Sequence, residues 1–240
     1  MVGDALFVSH NSKTGFSINT AIVRTCRPTK GCATYCYGLE GRLQFSAALG
    51  AQSRNTTFFE QASDSQLKAA ARAVGRRITR KQSFVRMFGV GDLQPGSVKF
   101  ITLLAMEWSE LNVWVSTRKL ELAWQLPLLP NLHVMMSCDS TTTAANLEAT
   151  RGLIRQNGPQ FFGAWVRRSE DERPPRWIKV VFEEHHVGKR GRARWEPEPR
   201  ACPATVRDGL EHEAACEKCT FCFNTKKREK GTALVQLRRR

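Results

Sequence analysis

Short apolar runs alternate with longer helix-like segments along most of the chain. The strand-like runs are FSINTAIVR (16–24), FVRMFGVGD (84–92), NVWVSTR (112–118), NLHVMMSCD (131–139), QFFGAWVR (160–167) and WIKVVFEEH (177–185). Proline-free stretches between them predict helices at 40–54, 60–80, 97–110, 119–126 and 143–157, with Ser63 or Asp64 as a cap inside the second. Because strands and helices alternate, we predict βαβ units around a parallel sheet.

The predicted fold class is α/β: a partial (β/α) barrel-like parallel sheet with a small C-terminal cysteine-rich module. Residues 1–200 form the α/β domain, 201–224 form the module and 225–240 form a basic tail. A hydrophobic content of 41% over 240 residues is enough for a core of this size. Disorder of the whole chain is therefore excluded.

Polar side chains follow several predicted strands where each strand ends. Four of them are candidate catalytic or ligand-holding residues: Asp92, Ser116, Arg118 and Asp139. In α/β folds the carboxyl ends of parallel strands are where sites assemble, and an arginine there can bind a carboxylate or phosphate through two hydrogen bonds. For the two aspartates, capping of the next helix is an equal alternative.

Eight cysteines stand in a chain with no signal-peptide-like run and no stretch approaching a membrane span. We expect a cytoplasmic protein that does not enter a membrane, in which thiols stay reduced. Cysteines in such a protein are metal ligands more often than disulfides.

Seven of the eight cysteines form two groups near the two ends of the chain. Cys26, Cys32 and Cys36, the first cysteine group, would leave one iron of a 4Fe–4S cluster without a protein ligand. Cys138 could close that site as a fourth ligand, or be an inert buried thiol. Cys202, Cys216, Cys219 and Cys222, the second cysteine group, fit a closed structural site, with iron–sulfur favoured and zinc the alternative. The sequence thus predicts one or two clusters.

The formal charge of +15 is concentrated in clusters, which predicts a polyanionic partner, DNA or RNA. In the predicted second helix, basic residues at steps of four form one stripe with no acid between Asp64 and Asp92. The candidate nucleic-acid-binding residues are Lys68, Arg72, Arg76, Arg77, Arg80, Lys81, Lys189, Arg190, Arg192, Arg194, Lys226, Lys227 and Arg228. A solvated basic surface is the alternative.

The three-cysteine loop after the first predicted strand, with Tyr35 directly before Cys36, resembles that of radical S-adenosylmethionine enzymes. Its spacing is wider than usual, with five and three residues between cysteines instead of three and two. The resemblance implies a cluster that binds S-adenosylmethionine.

A second resemblance covers nearly the whole chain. The segments NSKTG (11–15), TCRPTKGCATYCYG (25–38), VRMFGVGD (85–92), VWVSTR (113–118), SCD (137–139) and CP with CEKCTFCF (202–223) resemble the phage gene product 88 family. The resemblance implies a protein of a phage or other mobile element. It supports one site built from the cysteines and strand-end residues, and it implies no particular reaction.

Three functions follow from these features. The first is an enzyme that performs radical chemistry on a nucleic acid, with Asp92, Ser116, Arg118 and Asp139 around the cofactor or substrate. The second is a zinc- or cluster-stabilised nucleic-acid-binding protein without turnover. The third is an effector that binds a host or mobile-element protein complex.

Overall fold

A computed structural model of the protein describes residues 6–11, 14–34, 36–39, 41–183, 199–202 and 216–229. Its centre is a seven-stranded sheet in which the strands lie side by side in chain order. The strands are β1 (Ser9–Asn11), β2 (Gly15–Ile18), β3 (Phe84–Met87), β4 (Asn112–Thr117), β5 (Leu132–Asp139), β6 (Phe161–Arg167) and β7 (Ile178–Glu183). Only β1 and β2 pair antiparallel, and every later pair is parallel.

Helices connect the parallel strands. In the described residues they are α1 (Ile22–Thr25), α2 (Lys30–Thr34), α3 (Ser46–Gln61), α4 (Asp64–Thr79), α5 (Pro95–Glu107), α6 (Leu120–Ala123), α7 (Ala144–Asn157), α8 (Cys216–Cys219) and α9 (Thr225–Glu229). Short 3₁₀ turns occupy Tyr37–Leu39, Gly41–Gln44, Gly158–Gln160 and Phe221–Phe223. Helix α4 begins at a capping box in which Ser63 and Gln66 satisfy each other's backbone N–H groups.

The two faces of the sheet are covered differently, because alternate residues of a strand point to opposite faces. Val85, Val113 and Val134 face the first side, where α4, α5 and α7 contribute to the main apolar core. Phe84, Trp114, Met135 and Phe162 face the other side, which we call the second face. There the aromatic rings of Phe221 and Phe223 pack on them, with Phe223 stacked on Phe84 at 4.5 Å between ring centroids.

The α/β class and the mainly parallel sheet are confirmed, while a barrel-like curvature stays a prediction. Several predicted ends were wrong. The first strand ends at Ile18 and is followed by helix α1 instead of continuing to 24, and the predicted helix at 40–54 becomes regular only at Ser46. The next predicted strand stops at Met87 instead of 92, because Phe88 and Gly91 have positive φ angles of 62° and 84°.

Candidate functional site

The first cysteine group lies in the segment that follows β2, at the carboxyl ends of the parallel strands. Cys26 is the C-cap of α1, Cys32 lies within α2 and Cys36 follows that helix. Burial, together with smaller contributions from the nearby charges of Asp92, Cys32 and Cys36, raises the pKa of Cys26 to about 12. The three sulfurs therefore lie close enough to influence one another.

Asp139 holds this segment against the end of β5. Its Oδ2 accepts a hydrogen bond of 2.5 Å from Thr29 Oγ1, which in turn accepts one of 3.1 Å from the backbone N–H of Cys32. Its Oδ1 accepts a hydrogen bond of 2.7 Å from Thr141 Oγ1, which accepts one of 2.8 Å from the Gly31 N–H. One buried carboxylate thus positions the Cys32 loop at two points.

Two arginines complete the surroundings of Asp139. Arg118 Nη2 lies 3.0 Å and Arg168 Nη2 lies 3.8 Å from the same carboxylate oxygen. Burial alone would raise the pKa of Asp139, but hydrogen bonds from Thr29 and Thr141 and the Arg118 charge outweigh it and lower the pKa. Asp139 is therefore a carboxylate at neutral pH.

Arg118 also faces the first cysteine group. Burial raises the pKa of Cys32, and the charges of Arg118 and Arg168 oppose that rise, so both guanidinium groups lie near the sulfur. Arg118 Nη1 is buried and has no hydrogen-bond partner among the described residues. It is an N–H donor with free capacity beside a thiol.

Asp92 ties the ends of β3 and β4 together. Its Oδ1 accepts hydrogen bonds from the Leu93 N–H and the Thr117 hydroxyl, and its Oδ2 accepts one of 3.2 Å from the Arg118 N–H. Burial raises the pKa of Asp92 although these bonds oppose it. The helix-cap alternative is wrong for both aspartates, because Gln94 precedes α5 and Thr143 precedes α7 as the N-cap.

Ser116 and Cys138 have different surroundings. Ser116 Oγ lies 3.4 Å from Ser137 Oγ on the second face. Cys138 points to the first face, where it packs with Trp165, Ile178 and Val181. Burial raises the pKa of Cys138 to about 11. These contacts fit the inert-thiol alternative for Cys138.

Three residues that build the site were not predicted from the sequence. They are Thr29, Thr141 and Arg168. Thr141 stands two positions after Asp139 and forms an Asx-type turn, which is a recognisable signal. Arg168 follows β6 directly, as Arg118 follows β4, so the same strand-end rule would have found it. Nothing in the sequence distinguishes Thr29.

The second cysteine group assembles on the second face of the sheet. All four of its side chains pack against the apolar cluster of that face, and the Cys202 N–H donates a 2.7 Å hydrogen bond to Val181 O beside β7. Burial raises the pKa of Cys222 well above its ordinary value, with further increases from Cys202, Cys216 and Cys219. Arg86 and Arg228 oppose such increases at Cys216 and Cys222, respectively.

All eight cysteines lie in the described part of the chain, and none of them is joined to another by a disulfide bond. Within the described ranges, no three or more His, Cys, Asp or Glu side chains are arranged as a metal-ion site.

Helix α4 carries the predicted basic stripe. Lys68, Arg72, Arg76, Arg77, Arg80 and Lys81 are exposed on it or just after it. Arg72 is neutralised by Glu107 of α5, 2.5 Å away, so the sequence-based view that the stripe lacks nearby acids was wrong at this position. Arg76, Arg77, Arg80 and Lys81 line a shallow depression together with Ala73. No described acid forms an ion pair with these four.

The C-terminal basic cluster is different from the prediction. Arg228 is 2% exposed, and its guanidinium donates to Phe221 O, Cys222 O and Pro159 O. Lys227 Nζ donates a 2.9 Å hydrogen bond to Cys219 O. The assignment of Arg228 to a nucleic-acid surface was therefore wrong, and only Lys226 of this trio is fully exposed. Lys189, Arg190, Arg192 and Arg194 lie outside the described residues.

Buried His133 joins β5 to Arg228. Arginine can only donate, so His133 Nδ1 accepts from Arg228 Nη2 at 3.3 Å, and Nε2–H donates to Asn112 Oδ1 at 3.1 Å. Burial lowers the pKa of His133 to about 3, with a further contribution from Arg228.

We therefore expect stability to fall as the pH is lowered below 6.5, because the unfolded chain then binds a proton that folded His133 does not. Between pH 7 and pH 5.5 the loss should be about 1 kcal/mol in urea unfolding. In a His133→Gln variant, the slope of the free energy of unfolding against pH should lose this contribution. An unchanged slope in that variant would contradict the assignment.

The fold and site define an α/β protein with a mainly parallel sheet and two groups of cysteines, each of which lies near two arginines. In the described part of the chain, no helix is long and apolar enough to cross a membrane. The gene product 88 family model matches residues 5–225, and the chain belongs to this phage family. Neither the curated proteins nor the solved structures include a match to the chain.

Proposed function

We propose that the protein is an iron–sulfur protein that binds nucleic acid, with a radical S-adenosylmethionine-like site at the first cysteine group. The observation that carries this proposal is that two groups of half-buried thiols each lie beside two arginines. An isolated thiol with a raised pKa stays protonated at neutral pH, whereas iron or zinc displaces the proton and leaves a thiolate. The arginines then offset the buried negative charge.

At the first group, Cys26, Cys32 and Cys36 would hold the cluster. The free Nη1 of Arg118 would donate a hydrogen bond to a cluster sulfide or a cysteine sulfur, which is a recognised way of tuning such centres. In the enzymes that this loop resembles, a 4Fe–4S cluster with one open iron supplies the electron that cleaves S-adenosylmethionine. Asp139, Thr29 and Thr141 hold the loop, and Asp92 holds the neighbouring strand ends.

At the second group, four cysteines would close the coordination of a structural cluster or of zinc. The contacts of Phe221, Phe223 and Arg228 with the sheet favour such a structural role for this group. They also support the second candidate function, a metal-stabilised nucleic-acid-binding protein without turnover.

Changing Cys32 to alanine tests the proposal. In protein purified without oxygen, we expect the variant to lose about four irons together with acid-labile sulfide. The matched control is Cys138→Ala, which removes a buried thiol outside both groups and should keep the full iron content. Metal analysis measures the iron content of both variants, and electron paramagnetic resonance of the reduced protein detects their clusters.

The outcomes separate the candidates. Wild-type protein free of metal, or equal iron in both variants, would overturn the cluster at the first group. Cleavage of S-adenosylmethionine under a strong reductant, lost with Cys32→Ala, would support the enzyme. An iron- or zinc-containing protein that binds nucleic acid but leaves S-adenosylmethionine intact would support the second candidate.

The nucleic-acid surface is expected at the C-terminal end of α4. The Arg76→Gln/Arg80→Gln double variant should weaken binding about tenfold at low salt, because about two phosphate contacts are lost. For the same reason, the slope of log K against log salt concentration should become less steep by roughly two. Lys68→Gln/Arg72→Gln removes equal charge from the same helix, but Arg72 is already paired with Glu107. Its effect should be smaller.

Binding to a labelled oligonucleotide across a salt series provides the measurement. Equal effects of the two double variants would show that only net charge matters. A flat salt response of the wild type would count against a polyanion partner.

A further inference from the structure

Arg86 occupies the middle of the second face, and the proposed function uses its charge only towards Cys216 of the second cysteine group. In the sheet register it lies between Ser17 of β2 and Trp114 of β4. Its guanidinium stacks over the Trp114 ring, with Cζ 4.9 Å from the ring centroid. A Cβ placed on Gly89 would lie 3.4 Å from Arg86 Nη1 and 3.1 Å from Asn19 Oδ1. The charged end therefore extends towards the carboxyl ends of the strands, where the first cysteine group lies.

No carboxylate in the described part of the chain balances this guanidinium. Among the described residues, no carboxylate forms an ion pair with Arg86, and its buried Nε has no hydrogen-bond partner. Other buried arginines differ: Arg167 pairs with Glu183 at 3.1 Å, and Arg228 donates to backbone carbonyls. Leaving a cation partly buried without an anion is costly, which favours a negatively charged group beside Arg86.

The neighbouring side chains on this face are short and polar. Ser116 Oγ and Ser137 Oγ lie 3.4 Å apart on the next two strands. On the other side, Asn19 Nδ2 donates to Ser17 Oγ at 3.3 Å. Serine hydroxyls can donate to an oxyanion, and the planar guanidinium fork matches the two oxygens of a carboxylate or phosphate.

We infer that Arg86, with Ser17, Ser116 and Ser137 around it, forms a binding site for the oxyanion of a small ligand on the second face of the sheet. The ligand is a phosphate or a carboxylate held between the two cysteine groups. The other group within its reach is Cys216, which becomes an anion when a metal displaces its proton and whose pKa the Arg86 charge lowers against the larger effect of burial. The experiment has to separate these two partners.

The test is isothermal titration calorimetry on the full chain purified without oxygen. The probes are inorganic phosphate and adenosine 5′-monophosphate for phosphate, acetate and L-methionine for carboxylate, and adenosine as an uncharged comparison. At least one class of anion should bind, and Arg86→Gln should weaken it at least tenfold. Arg86→Lys, which keeps the charge without the fork, should show a smaller loss.

Two further variants control for folding and for net charge. Arg54→Gln removes an arginine whose Cζ lies 6.0 Å from the centroid of the Phe7 ring. The anion affinity of this variant should match that of the wild type. Ser137→Ala should weaken binding several-fold while leaving the thermal midpoint close to the wild type.

The difference between the phosphate and carboxylate probes identifies the ligand class. Wild-type protein that binds neither class would overturn the inference. So would Arg86→Gln protein that keeps its anion affinity but loses metal from the second cysteine group, because Arg86 would then serve Cys216 alone.

Discussion

Replacing Asp139 with alanine is expected to lower the free energy of unfolding by about 3 to 5 kcal/mol, because two largely buried arginines lose their fully buried carboxylate. The guanidinium groups of Arg118 and Arg168 both lie near Asp139 Oδ2, and without this carboxylate their positive charges would repel each other. The hydroxyls of Thr29 and Thr141 would also lose the acceptor that fixes the Cys32 loop. Iron retention at the first cysteine group should fall roughly tenfold or more, since the groups that orient metal ligands matter nearly as much as the ligands.

Urea unfolding and iron analysis of anaerobically purified protein measure these two effects. Asp64→Ala is the control, because Asp64 is exposed and its ion pair with Lys99 lies in solvent. That change should cost less than about 1 kcal/mol and leave the iron unchanged. Asp139→Asn, which keeps the shape, should be less destabilising than alanine but still lose iron. Full iron in both Asp139 variants would show that the carboxylate does not position the loop.

The α/β class and the alternation of parallel strands with helices along the chain could be predicted because both depend on local pattern, whereas the short β1 strand was not predicted. Buried parallel strands are apolar on both faces, and runs such as those now seen in β4, β5 and β6 stand out between helical segments. The β3 strand was predicted too long because Phe88 continues an apolar run while its backbone turns to a positive φ. That turn is set by contacts with the β2 exit, such as the 3.1 Å hydrogen bond from Thr20 N–H to Val90 O, which no local pattern reveals.

The site was predictable where one residue type has few alternatives. Cysteine groups and strand-end residues such as Asp139 and Arg118 were found from spacing and position. The basic residues were harder, because the sequence shows a charge but not its partner. Glu107 is 35 positions from Arg72, and Arg228 looks like its exposed neighbour Lys226 although it is buried.

The second large expected effect is on stability, because Arg228 is buried whereas its neighbour Lys226 is exposed. We expect Arg228→Ala to destabilise the protein by about 3 kcal/mol, because the carbonyls of Pro159, Phe221 and Cys222 lose a charged donor. The guanidinium also stacks on Phe162 at 4.4 Å, so packing is lost as well.

Lys226→Ala is the matched control, because it removes the same charge from the same short helix at an exposed position and should change stability by less than about 0.5 kcal/mol. Urea unfolding gives the stability, and limited proteolysis reports whether residues 216–229 leave the sheet. Arg228→Lys should recover only part of the loss, since an ammonium group cannot reach the carbonyls with a planar fork. If the two alanine variants unfold alike and are cleaved alike, Arg228 does not anchor the second cysteine group, and the packing of Phe221 and Phe223 must hold that segment by itself.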